Sequence, residues 1–231
     1  EIFSGNIDKN VYFSLINAIE SGLDDLHSYV ALRKKLLGLN DMKMYDMYVP
    51  LVENDDKLYS YEEAQNIVKE ALAPLGKEYI SLLDRAFSEN WIDVYETKGK
   101  TSGAYSWGAY GVHPYMLLNF QGRLDDVFTL AHEAGHSMHT YFSDNTLPYE
   151  KAQYKIFVAE VASTVNEVLL LKHLLKNSQS KATKAYLLNH FLDQFRTTVF
   201  RQTMFAEFEL KIHTAAENGE SLTVNMLDSV Y

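Results

Sequence analysis

Apolar residues recur at three- and four-residue spacing from about Val11 to Ile19 and again from Leu23 to Leu37, where Gly38 supplies a stop. This spacing predicts a helical hairpin. After an irregular stretch around Pro50, Ser60 followed by Glu63 forms a capping box for a helix ending near Ala73, and Pro74 opens the next one, to about Asn90. From Trp91 to Phe120 the pattern changes to alternating β-branched and aromatic residues (Ile92, Val94, Tyr95) with glycines at 99, 103, 108 and 111. A small antiparallel sheet is predicted there, with Tyr115 to Phe120 as its last strand. Asp125 or Asp126 then caps a helix carrying Val127, Leu130, Ala131 and Ala134, which runs to about Phe142 and ends in Ser143-Asp144-Asn145. A second helix is expected from about Ala152 to Leu175 and a third from Lys184 to Ala216, closed by Asn218-Gly219. The chain thus reads as mainly α, with a helical region over 1–90, a small sheet over 91–122 and a helical region over 123–231.

Composition narrows the class. At 231 residues and 47% hydrophobic content the chain is long enough for one large domain or two small ones with a packed core. No run of about 18 apolar residues is present, and Glu1-Ile2-Phe3-Ser4-Gly5-Asn6 lacks the basic-then-apolar pattern of a signal peptide, so a soluble, cytoplasmic protein that makes no membrane contact is expected. The net charge of -10, with Arg33-Lys34-Lys35 as the one basic cluster, argues against a nucleic-acid partner. Both ends look cut: Glu1 is no initiator, and Val224 to Tyr231 begins an apolar helical pattern with no capping signal after it. An excerpt of a longer protein is the expectation.

The absence of cysteine excludes thiolate chemistry, so any metal must sit on nitrogen and oxygen. His132-Glu133-Ala134-Gly135-His136 supplies the nitrogens. Residues i and i+4 of a helix point the same way within about 40°, which lets both rings present a nitrogen to one tetrahedral cation. Glu133 lies on the flank of that face, where its carboxylate reaches a water at an open coordination position without binding the metal. Small Ala134 and Gly135 let a neighbouring backbone approach.

A hydrolytic zinc takes three protein ligands and leaves the fourth position for water. His139 is close in sequence, but a third histidine six residues past His136 would fall on Phe142, so His139 reads as a residue behind the ligands or as structural. Glu160 is the better third ligand: it follows a turn at Asn145 to Pro148, and it sits among core-like Val158, Val161, Ala162, Val165 and Val168. Glu167 and Glu150 are the other candidates, Glu167 sharing one polar stripe with Glu160 and Thr164; Glu167, like His139, is also a candidate to support the ligands from behind. The tyrosine- and glycine-rich stretch Gly103 to Gly111 suggests an edge that pairs with peptide backbone, making Tyr105 and Tyr110 substrate-contact candidates, with His113 beside them. Arg196 and Arg201 are expected in structural ion pairs with Glu207 or Glu209.

The stretches Phe128-Thr-Leu-Ala-His-Glu-Ala-Gly-His-Ser-Met-His139 and Phe157-Val-Ala-Glu-Val-Ala-Ser-Thr-Val-Asn-Glu167 resemble oligoendopeptidase F and its thimet oligopeptidase-like relatives. So do Gly103-Ala-Tyr-Ser106, Pro114-Tyr-Met-Leu-Leu-Asn119 and Arg196-Thr-Thr-Val-Phe-Arg-Gln-Thr-Met-Phe-Ala-Glu207. The resemblance implies a zincin-type helical catalytic domain lining a channel that admits short peptides and excludes folded proteins. It also implies one Zn2+ per chain on His132, His136 and Glu160, Glu133 as the catalytic carboxylate, and oligopeptides as partners. Ala134 departs from the family's usual Phe but touches no ligand. The tyrosine and histidine that such enzymes use to stabilise the oxyanion have no matching segment before Tyr231. A catalytically silent helical zinc-binding module and a metal-dependent hydrolase of non-peptide amides are the alternative readings.

Overall fold

A computed structural model describes residues 5–52 and 57–231; Glu1 to Ser4, on which most of the N-terminal reading rests, lie outside the described residues. The chain divides into two compact units, one running from 55 to 184 and the other combining residues up to 54 with 185–231.

The 55–184 unit opens with α1 (Tyr61–Leu72), whose N-cap Ser60 accepts from the Glu63 N–H at 3.1 Å while the Glu63 carboxylate accepts from the Ser60 N–H at 2.8 Å. Ala64, Val68, Ala71 and Leu72 form its buried stripe. Pro74 lies in a 3-10 turn over Ala73–Leu75, so the next helix, α2 (Lys77–Ser88), begins only after Gly76, which takes a φ of 98°. Three short strands follow: β1 (Ile92–Asp93), β2 (Tyr105–Trp107) and β3 (Tyr115–Leu117), in the order β1-β3-β2.

The sheet is mixed where an all-antiparallel one was expected: β2 is antiparallel to β3, but β1 is parallel to it. Residues 94–104 carry the chain past the centre to the far edge before it turns back, so the returning β3 runs in the direction of β1. The N–H groups of Met116 and Leu118 donate two residues apart to the carbonyls of Trp91 and Asp93, the pattern of a parallel pair, before Phe120 shifts by one to the carbonyl of Val94. Within the ladder Ser106 lies opposite Met116 and faces inward, whereas Tyr105 and Trp107 are exposed on the other face.

Helix α3 (Leu124–Thr146) begins at Arg123, and Asp126 is the carboxylate of its cap, accepting from the N–H groups of Gln121 and Arg123 at 3.0 and 2.8 Å. It runs on past the expected stop at Phe142. The helix predicted from Ala152 is in fact a single turn, α4 (Tyr149–Ala152), an extended stretch at 153–155, a 3-10 turn over Ile156–Val158, and only then α5 (Ala159–Asn177). Tertiary contacts hold the break open. The Tyr154 ring stacks on His139 at 3.7 Å and its hydroxyl bonds the Thr140 hydroxyl at 3.1 Å, while the Ser143 hydroxyl donates to the Ala152 carbonyl.

In the other unit α6 (Lys9–Ser21), capped by Asp8, precedes α7 (Leu23–Leu36), from which buried Arg33 donates to the carbonyls of Met47 and Val49 at 2.9 and 2.6 Å. The single helix expected from Lys184 to Ala216 is a helical path in three parts: α8 (Lys181–Gln194), a π-helical segment Phe195–Phe200, and α9 (Arg201–Glu217). The ion pairs differ from expectation. Arg196 holds Asp193 at 2.6 Å and Arg201 donates to the Tyr48 hydroxyl at 2.9 Å, because a short i,i+3 partner and a nearby phenol outcompete glutamates about two to three turns on; Glu207 pairs with Lys211. The last helix, α10 (Val224–Val230), is capped by Thr223. Among the described residues no helix is long and apolar enough to cross a membrane.

Candidate metal centre and active site

Helices α3 and α5 meet where α3 carries Gly135. A Cβ there would lie 2.6 Å from the Ser163 Cα and 2.8 Å from both the Ala162 carbonyl oxygen and the Ser163 nitrogen. Only a residue without a side chain lets the α5 backbone come this close. That approach brings the first turn of α5, and with it Glu160, over the motif face of α3.

The outcome is a triangle of donor atoms. His132 Nε2 and His136 Nε2 are 3.1 Å apart, and Glu160 Oε2 is 3.4 Å from each. Ligands about 2.0–2.1 Å from a tetrahedral zinc stand about 3.3 Å from one another, since a tetrahedron's edge is about 1.6 times its centre-to-vertex distance. The three edges match that separation, and the N2O donor set suits a borderline cation. Among the described residues these three form the cluster of metal-binding character.

Each donor is held from behind. Glu167 hydrogen-bonds His132 Nδ1, leaving Nε2 toward the cluster. The Ala159 carbonyl serves the His136 ring, and the Ser163 hydroxyl donates to Glu160 Oε2 at 2.8 Å. Asn166, fully buried, reaches from α5 to the carbonyl of Ala131 at 2.9 Å and to the Tyr79 hydroxyl on α2 at 2.8 Å. Metal-binding histidines are oriented by partners of this kind. Ser163 and Asn166 escaped the sequence reading; a small polar residue at every third or fourth position of an apolar helix was the available signal.

Electrostatics divide the groups. Burial lowers both histidines; in His136 it prevails, whereas the hydrogen bond and charge of Glu167, with Glu133 and Glu160, leave His132 raised. Burial, with the charges of Glu160 and Glu167, pushes the Glu133 carboxyl up to about 6 against the pull of His132 and the Ser106 backbone N–H. Glu133 is 6% exposed, and its Oε2 is buried with no hydrogen-bond partner among the described residues. A buried carboxylate oxygen left without a donor is one aimed at something that binds there.

The other candidates are placed differently. His139 stacks on Tyr154, burial lowering its pKa, and Glu150 is exposed on α4. His113 is sandwiched against Trp91 at 4.7 Å and Tyr115 at 4.4 Å, and the Tyr110 hydroxyl donates to the Leu147 carbonyl at 3.1 Å. Tyr105 is half-exposed on β2, the edge strand beside α3.

The same architecture occurs in proteins of known name. The chain is 50% identical over 99% of its length to oligopeptidase PepF of Bacillus subtilis and 51% identical over 97% to an oligoendopeptidase F homologue of Lactococcus lactis. It spans about a third of the length of these curated relatives, 34% and 37% respectively. Among solved structures, a Chlamydophila abortus protein assigned as a peptidase matches all of the chain and 38% of its own, at 44% identity and a TM-score of 0.89. Oligoendopeptidase F from Enterococcus faecium matches 99% of the chain and 33% of its own, at 36% identity and a TM-score of 0.68. A family model matches residues 2–231 from end to end, and with that match the chain that builds this cluster belongs to peptidase family M3.

Proposed function

We propose that this chain carries the catalytic centre of a zinc metalloendopeptidase that hydrolyses internal bonds of short peptides, with zinc on His132 Nε2, His136 Nε2 and Glu160 Oε2. The observation that carries the reading is the donor triangle of 3.1–3.4 Å edges lying beside a buried glutamate with an unpartnered oxygen. Three protein donors, with the Glu160 side chain 66% exposed, fit a site that accepts a further ligand better than the closed four-donor set of a structural metal. The names of the relatives, oligopeptidase and oligoendopeptidase, favour peptides over other amides.

Zinc, when bound, supplies a Lewis acid that polarises the scissile carbonyl and acidifies water. Glu133 accepts the proton of the attacking water and delivers it to the leaving amine, so no covalent intermediate forms. Glu167 and the Ala159 carbonyl fix the tautomers and tilt of the two imidazoles, and Ser163 fixes one Glu160 oxygen. Edge strand β2 offers its free side to an extended peptide, which orients a substrate along α3.

The test is a quenched fluorescent peptide digested by the protein, with fragments read by mass spectrometry. Internal cleavage abolished by a chelator and restored by one equivalent of zinc is expected. Full activity after metal removal, or hydrolysis confined to small acylated amines, overturns the reading.

A further inference from the structure

Helix α3 holds a second polar residue whose burial the metal chemistry leaves unexplained. Ser137, the neighbour of His136, is fully buried, and its hydroxyl lies 2.7 Å from the hydroxyl of Ser106 on β2. Ser137 is one helical turn beyond Glu133, so both present to the same strand. Ser106 touches both. Its side chain bridges to Ser137, and its backbone N–H draws the Glu133 carboxyl down against the effect of burial.

Strand β2 is three residues long and among the described residues is paired with β3 alone, which leaves its height above α3 weakly determined by the sheet. Outward-facing Tyr105 and Trp107 are exposed and contribute no packing on the α3 side. The hydroxyl bridge is therefore the polar tie that sets how far the Ser106 N–H stands from Glu133. Two apolar side chains would fill the same space without the burial cost of two hydroxyls, so their presence calls for a directional role.

We propose that Ser106 and Ser137 are positioning residues for the general base: their hydroxyl bridge clamps β2 onto α3 so that the Ser106 N–H holds one Glu133 oxygen and leaves the other aimed at the reacting water. This rests on the assignment of Glu133 as the base. Neither serine belongs to the donor triangle, so metal binding is not their task.

The experiment measures kcat, KM, zinc content and melting temperature of the zinc-loaded protein for S106A, S137A, S106A/S137A, S106T and E133Q on one quenched peptide. Each alanine variant is expected to lower kcat about tenfold, the scale of a sub-ångström misplacement of a catalytic group, with KM and zinc content unchanged. The double variant should be no slower than the single ones, because both remove one bridge. S106T, which keeps the hydroxyl on a strand position suited to β-branching, should restore kcat. Wild-type kcat in both alanine variants overturns the proposal, as does a loss of rate that tracks lost zinc or lost melting temperature, or that S106T fails to rescue. If S137A does not fold, S106A at a half-buried position carries the same test. E133Q separates the two levels: activity surviving in E133Q overturns the base assignment and this inference with it, whereas an inactive E133Q beside fully active serine variants overturns the positioning role alone.

Discussion

The carboxylate of Glu167 hydrogen-bonds Nδ1 of His132 across the α3–α5 contact, so the helix that supplies one member of the donor triangle also orients another. Glu167 lies seven residues after Glu160, two turns along the same helix, and both side chains converge on His132.

Glu167→Ala should therefore weaken zinc affinity about 10- to 100-fold, the usual effect of removing a partner behind a metal-binding histidine. Glu160→Ala should weaken it far more, since it removes a donor. Competition with a chromophoric chelator checks both. Stoichiometric zinc retained by Glu160→Ala after dialysis against a mild chelator would show that the ligand assignment is wrong.

Gly135→Ala tests how the helices are spaced. In an ordinary helix interior this change is worth up to about 1 kcal/mol of added stability. Here the new Cβ meets α5 backbone at 2.6 Å, with no flexible side chain to yield, so the sign should reverse to a loss of about 1–3 kcal/mol or more, with weakened zinc binding. Thermal unfolding and metal titration of the variant decide it.

Glu133→Gln should keep zinc while lowering turnover about 100- to 10,000-fold, the range for loss of a general base. It also changes the pH dependence of the metal-free protein. Burial raises the Glu133 pKa from 4.5 to about 6, so the folded state prefers the protonated form, and stability present below pH 4.5 is lost as pH rises through about 6. Chelator-treated wild type should then fall behind Glu133→Gln by about 1–2 kcal/mol at neutral pH, with the gap closing at pH 4. Urea unfolding across pH reads the difference; a gap that widens toward acid would contradict the sign.

Asn166→Leu removes a bond to the Ala131 carbonyl, which keeps its helix partner, and strands the Tyr79 hydroxyl, whose pKa burial raises to about 12. A loss of about 1–3 kcal/mol is expected from the lost bonds and the unsatisfied hydroxyl. Because Ala131 precedes His132, the zinc affinity of the variant should fall as well, and denaturant unfolding with metal titration measures the two effects together.

Features set by neighbours along the chain were legible before any coordinates. The Ser60–Glu63 capping box, the i,i+4 spacing of His132 and His136, the stop after Asn218 and the need for a small residue at 135 are all local. Glu160 was reached by weighing the cost of a carboxylate among core-like valines, and that premise fails, since Val158, Val161 and Val165 are exposed and so is Glu160; the structure nonetheless brings it to the two histidines, because the close α3–α5 approach at Gly135 sets its place. What escaped depends on contacts distant in sequence. The break at 153–155 is held by Tyr154 against His139, a pairing that no periodicity announces. The direction of β1 depends on where an 11-residue loop deposits the chain, and Arg196 chose Asp193 through proximity that a charge count cannot rank.

The π-helical turn at Phe195–Phe200 makes α8 and α9 a pair of out-of-phase halves. A π turn accommodates one residue more than an α turn, and each residue of an α-helix advances by about 100°, so every side chain after Phe200 is rotated by roughly that angle from where an unbroken helix would put it. Thr197 and Thr198, which donate to the carbonyls of Asp193 and Gln194, stand at the seam. The segment works as a phase shifter: a deletion of one residue there would turn the π turn into an α turn and leave Arg201, Phe205 and everything downstream on the side they already occupy, whereas a deletion within α8 or α9 would swing all that follows it by about 100°. A single-residue gap is thus absorbed at this turn and not a few residues to either side of it.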